Sequence, residues 1–175
     1  MTHRGDQPPA PAIGFDDLLA ANTAFAERFT LGGFDGVAHR GVGIVTCMDS
    51  RIDPLNMVGL KAGDAKIFRN PGGRVTSPAL EALVLGVHLL GVERILIVPH
   101  TKCAMNLNTE HELREKVGES AGVDATWQAF GVIDDPIRAL EDDVRRVRSH
   151  PLIPGTVLVG GFMYDVDTGL LEQKF

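Results

Sequence analysis

Cysteine is scarce, with two in 175 residues. A pair cannot build a disulfide-dense secreted scaffold, and in a cytoplasmic single domain it is not expected to close a stable bridge. Long apolar runs are missing too. The longest, around residues 79–90, is interrupted by Glu81 and His88, far from the roughly 20 uninterrupted apolar residues of a membrane span. Positive charge is in deficit: 17 Lys and Arg face 23 Asp and Glu, a net charge of −6. That argues against nucleic-acid or anionic-membrane partners, which favour a basic face. The opening MTHRGDQPPAPAIG lacks the apolar segment of a secretory signal, so a cytoplasmic location is the expectation. No internal repeat or interdomain linker is visible. The length suits one well-buried core, expected over residues 15–175, with the Pro- and Gly-rich residues 1–14 as a loosely docked or disordered arm.

What is present is an alternation of strand and helix patterns. Phe15–Phe29 reads as a first helix with Leu18, Leu19, Phe25 and Phe29 among charges. Gly43–Cys47, Ala65–Arg69, Arg94–Pro99 and Thr156–Phe162 are short apolar runs with β-branched residues, the pattern of buried strands. Residues 77–90 form a helix with Ser77 as cap and Pro78 in the first turn. A second helix covers 134–149, with Ile137, Leu140, Val144 and Val147 on one face. The C-terminal residues 164–175 read as a hairpin ending in a short edge strand, and 118–133 as a loop with a helical turn. The alternation implies right-handed crossovers and an α/β fold, with a mostly parallel central sheet of four to five strands flanked by helices.

Sites in such sheets form beyond the carboxyl ends of the strands, and two of those ends carry unusual chemistry. Cys47-Met48-Asp49-Ser50-Arg51 follows the first strand, and His100-Thr101-Lys102-Cys103 follows the third. If these strands are neighbours, two thiolates and one imidazole converge. A Cys2His set suits zinc, and three protein ligands with an open fourth position mark a catalytic ion. The bland alternatives are inert buried thiols and, for Asp49, a turn or cap residue. His88 reads as structural, and His39, His111 and His150 as surface residues.

Cys47-x-Asp49-x-Arg51 and His100-x-x-Cys103, with Arg69-Asn70-Pro71-Gly72-Gly73 between them, resemble the β-class carbonic anhydrases, most closely the small bacterial members. The resemblance implies one Zn2+ per chain held by Cys47, His100 and Cys103, and a dyad of Asp49 and Arg51 beside it. It also implies an α/β sheet assembled as a homodimer or larger homo-oligomer, and interconversion of carbon dioxide and bicarbonate by metal-bound hydroxide. Arg51 would hold Asp49 ionised in a two-pronged pair; released, Asp49 would become a fourth ligand in a closed, silent state. Gly72 and Gly73 would bring backbone amides toward an anion such as bicarbonate. Two positions depart from the family pattern: Ala104 follows the second cysteine where glycine is usual, and Lys102 stands between the ligands. Relatives of the same architecture hydrolyse carbon disulfide or carbonyl sulfide, which is the alternative activity. A non-catalytic zinc-binding or bicarbonate-sensing protein is the alternative from another class.

Overall fold

A computed structural model describes residues 14–175, so the arm expected over 1–14 lies outside the described residues except for Gly14. The chain separates into two compact units, one ending at Phe34 and one running from Asp35 to Phe175. In the first, helix α1 spans Asp16–Ala26, shorter than the pattern of apolar residues suggests, and none of its residues is buried.

The second unit holds five strands: β1 Val42–Cys47, β2 Ala65–Asn70, β3 Arg94–Val98, β4 Leu158–Tyr164 and β5 Leu171–Gln173. Their order is β2-β1-β3-β4-β5, with the first four parallel and β5 antiparallel on β4. β1 is buried at every position, as its unbroken VGIVTC requires of a strand covered on both faces. Side chains alternate between the faces. Val45, Ile95 and Ile97 join one core cluster, whereas Ile44, Leu96 and Val98 join the other.

Two helices cover the first face. α2, Ser77–Leu89, contributes Leu80 and Leu83, and α5, Pro136–Arg148, contributes Leu140, Val144 and Val147. The cap of α2 is Thr76 rather than Ser77: Thr76 has extended backbone and its side chain accepts from the Ala79 amide, while Ser77 is already helical. In α5 the Asp135 carboxylate accepts from the amides of Ile137 and Arg138 at 3.0 Å, and Arg145, Arg146 and Arg148 occupy the last turn, matching the helix dipole at both ends. Between β3 and α5 lie a one-turn helix, α3 (Ala104–Leu107), and α4 (Glu110–Ala121). α4 takes in the start of the stretch read from sequence as a loop.

β1 runs beside β2 on one flank and β3 on the other, so the chain reverses its direction of winding at β1. In open α/β sheets the crevice at that reversal, outside the carboxyl ends, is where sites form. Cys47 ends β1 and His100 stands two residues beyond the end of β3.

Candidate metal centre

The topology brings Cys47, His100 and Cys103 together, all three buried and with their ligand atoms within 4.8 Å of one another. The two sulfurs are 4.0 Å apart. Tetrahedral zinc with bonds of about 2.3 Å to sulfur sets its sulfurs about 3.8 Å apart, so the pair is spaced for the ion with little adjustment. The histidine is prepared as well. Its Nδ1 lies 2.8 Å from the Thr101 carbonyl, which only accepts, so Nδ1 carries the proton and Nε2 is left with a lone pair. Nε2 is also the one buried side-chain polar atom without a hydrogen-bond partner among the described residues. An orphaned buried nitrogen beside two thiols costs free energy unless a ligand takes it, and the donor set fits zinc.

Without a metal the three groups compete for protons. The Cys47 and Cys103 sulfurs share a proton, which draws the Cys47 ionisation far below that of an ordinary thiol, with help from His100 and the Asp49 and Gly72 amides. The same shared proton pushes Cys103 upward. Burial presses His100 downward, but the nearby Cys47 sulfur and its charge, with the Thr101 carbonyl, outweigh it and the net direction is up.

Asp49 lies at the rim, its Oδ2 3.8 Å from His100 Nε2. Three donors of one residue hold it. The Arg51 amide and Nε donate to Oδ1 at 2.9 Å each, and Nη2 donates to Oδ2 at 2.7 Å. The amide contact is a local turn of the kind that Asp favours, and the fork is a charge-assisted pair laid over it. Hydrogen bonds from the Arg51 side chain first and its amide next, with the Arg51 charge behind them, hold the Asp49 carboxyl well below the usual carboxylate range.

Arg69 is a residue whose part sequence reasoning missed. Its Nε donates to the Cys47 carbonyl at 2.9 Å and its Nη2 to the Asp49 carbonyl at 2.5 Å, fixing the backbone that presents the first ligand and the carboxylate. A parallel neighbour one strand away was the signal: Cys47 pairs in register with Asn70. Gly72 and Gly73 both have positive φ. A Cβ on Gly73 would stand 2.9 Å from the Cys47 nitrogen, so this turn is seated directly under the strand end. Asn70 braces it, exchanging side-chain bonds with the Arg74 backbone at 2.7 and 2.8 Å. From α5, buried Asp143 accepts Arg74 Nε at 2.6 Å and Nη2 at 3.2 Å, and the Val75 amide at 3.1 Å.

Of the other histidines, His88 Nε2 meets the Leu152 carbonyl at 2.7 Å, and the His39 and His111 side chains are exposed. A groove of about 770 Å³ along β3 and β4 contains none of the ligands, while one of about 780 Å³ reaches His100–Lys102 from the side of α5 and β5.

Residues 42–127 match the family model described as carbonic anhydrase. β-Carbonic anhydrase 1 of Mycobacterium tuberculosis is 31% identical over 90% of this chain and 96% of its own length. The chain belongs to the β-carbonic anhydrase family. A crystal structure of a carbonic anhydrase from Streptococcus mutans superposes with a TM-score of 0.82 at 34% identity, covering 93% of this chain and 99% of that one. A protein named carbon disulfide hydrolase, from Acidithiobacillus thiooxidans, is 30% identical over 88% of this chain and 81% of its own. Membership of the β-carbonic anhydrases joins the Cys-His-Cys cluster to a family of zinc enzymes. No helix among the described residues is long and apolar enough to cross a membrane.

Proposed function

We propose that the chain interconverts carbon dioxide and bicarbonate, with one zinc ion held by Cys47 Sγ, His100 Nε2 and Cys103 Sγ. The observation that carries this reading is the state of Asp49: close to the ligand cluster, ionised, and turned onto Arg51 by three hydrogen bonds. A structural zinc site takes four protein ligands, whereas here the fourth candidate is engaged elsewhere. Zinc in such a site supplies the Lewis acidity that brings the ionisation of water from about 15.7 to near neutrality.

The chain's own groups do the rest. Ionised Asp49 is an acceptor only, so water or hydroxide beside it points a hydrogen at the carboxylate and a lone pair toward carbon dioxide. Arg51 keeps Asp49 in that orientation and stops it from becoming a ligand. Arg69 holds the Cys47–Asp49 backbone still while this happens. Gly72 and Gly73 form the turn proposed to face the anionic product; the Gly72 amide serves the Cys47 sulfur at the same time. The exposed Phe15, Leu18, Leu19 and Phe25 on and beside α1 support a homodimer or larger homo-oligomer, to be read by sedimentation.

Stopped-flow hydration of carbon dioxide on zinc-loaded protein tests the assignment, with Asp49→Ala expected to lose about a hundredfold or more. Absence of turnover at full zinc occupancy would remove it. The likeness to a carbon disulfide hydrolase supports a second reading on the same site, and turnover of carbon disulfide without carbon dioxide would favour that one.

A further inference from the structure

Lys102 is the only non-glycine residue with positive φ among the described residues, at 55°. It stands between two ligands and is tied at both ends. Its carbonyl accepts from Arg51 Nη2 at 3.3 Å, and its ammonium meets Asp167 Oδ2 at 2.5 Å on the turn joining β4 to β5. That turn is docked to the ligand segment by backbone as well: the Thr101 amide donates to the Tyr164 carbonyl at 2.9 Å, and the Val166 amide to Thr101 Oγ1 at 3.2 Å. Arg51 therefore has two carboxylates in its surroundings. It forks onto Asp49, and the charge of Asp167 also reaches it.

We propose that Lys102 is a positioning residue that occupies Asp167 and so prevents it from competing with Asp49 for Arg51. The inference rests on the zinc reading above for its catalytic consequence. The Arg51 side chain is 45% exposed, and a second carboxylate without a cation of its own would compete for it. Among the described residues, Arg51 supplies the only side-chain hydrogen bonds to the Asp49 carboxylate. Neutralising Asp167 with a separate cation leaves the Arg51 fork undivided. Lys102 has left-handed backbone, unfavourable for a side chain of its kind, and from the two-residue interval between His100 and Cys103 it reaches both Arg51 and Asp167. A rival role for the same lysine is direct attraction of an anion to the metal, and the two differ in what happens when Asp167 is removed as well.

The test compares Lys102→Met, Asp167→Asn and the double variant by two readouts. In metal-free, 15N-labelled protein, exchange of the Arg51 Nε–H with water reports the fork. In holoenzyme, kcat/KM for carbon dioxide and the visible spectrum of the cobalt-substituted form report its effect. Lys102→Met is expected to speed the exchange about two- to fivefold, the range that one exposed ion pair commands. It should lower kcat/KM by a similar factor and shift the cobalt spectrum toward a carboxylate-bound form. Asp167→Asn alone should keep the Arg51 Nε–H protected, and the double variant should return all three readouts to the wild-type values. A double variant as impaired as Lys102→Met overturns the proposal in favour of direct anion attraction, and unchanged Arg51 exchange in Lys102→Met overturns it outright. If Lys102→Met fails to fold, Lys102→Gly, suited to the left-handed backbone, takes its place. Wild-type protein that binds no zinc would defeat the functional reading, while the metal-free exchange would still decide the role of Lys102.

Discussion

Replacing Gly73 by alanine probes how closely the metal centre depends on backbone approach. The added Cβ would meet the Cys47 nitrogen at 2.9 Å, the Thr46 carbonyl carbon at 3.0 Å and the Val98 oxygen at 3.2 Å. All three are main-chain atoms of β1 and β3, which cannot rotate away. The backbone at Gly73 also has φ of 65°, which costs an L residue roughly 1–2 kcal/mol. Overpacking against fixed backbone adds about 1–3 kcal/mol, so the variant should lose roughly 2–5 kcal/mol in total. For a chain of this length each kcal/mol moves Tm by about 2–4 °C, and calorimetry of the metal-free protein should show a fall of about 4–20 °C. Gly59→Ala is the control: φ there is 68°, and a Cβ meets nothing within 4 Å. It should lose only the conformational part, about 1–2 kcal/mol. Zinc affinity, read by chelator competition, should drop about tenfold or more in Gly73→Ala and stay level in Gly59→Ala. Equal losses of stability in the two variants would refute the seating of this turn under Cys47.

Three further outcomes follow from the same geometry. Asp143→Asn leaves Arg74 without its carboxylate partner and weakens the bond to the Val75 amide, at a cost of about 2–3 kcal/mol measurable by urea unfolding. Glu110 is held below the ordinary carboxylate value chiefly by the Phe130 amide and then the Val132 amide. Because the folded value is the lower one, this stability is present above the unfolded carboxylate range and is lost as pH falls below about 4.3 toward the folded value. Glu110→Gln should flatten the dependence of unfolding free energy on pH below about 4.5, and an unchanged slope would contradict the assignment. Zinc uptake at pH 7 should release at least one proton per ion, since Cys103 is pushed up in the metal-free site and binds metal as thiolate. Calorimetry in buffers of different ionisation heat counts the protons, and none released would count against the shared-proton arrangement.

The parts of the molecule that were legible from sequence are those with local signatures. Uninterrupted runs such as VGIVTC and RILIV are recognisable as covered parallel strands, and residues at their carboxyl ends are recognisable as site candidates because the topology of α/β sheets puts sites there. Helix α4 escaped because it has no buried residue and no apolar stripe. Its signals are at its ends: Thr109 and Glu112 form a capping box and Gly122 closes it in left-handed conformation. Those residues stand in the sequence with the expected spacing, and attention to caps rather than periodicity finds them. The supports of the centre were less accessible. Arg74 and Asp143 are 69 positions apart, and nothing in either neighbourhood announces the partner. Arg69 was readable as part of a glycine-bearing segment, but its grip on the Cys47 and Asp49 carbonyls needs the register of β2 against β1. The pairing of Lys102 with Asp167 depends on β4 lying next to β3, a neighbour relation that strand patterns alone leave open.

X-ray absorption at the zinc edge, with metal content per chain, tests the central assignment most directly. The expected result is one zinc per chain with two sulfurs at about 2.3 Å and nitrogen or oxygen ligands at about 2.0–2.1 Å, unchanged in Asp49→Ala. A shell with fewer than two sulfurs, or zinc well below one per chain, would contradict the Cys47–His100–Cys103 centre. A first shell altered by Asp49→Ala would contradict the open fourth position.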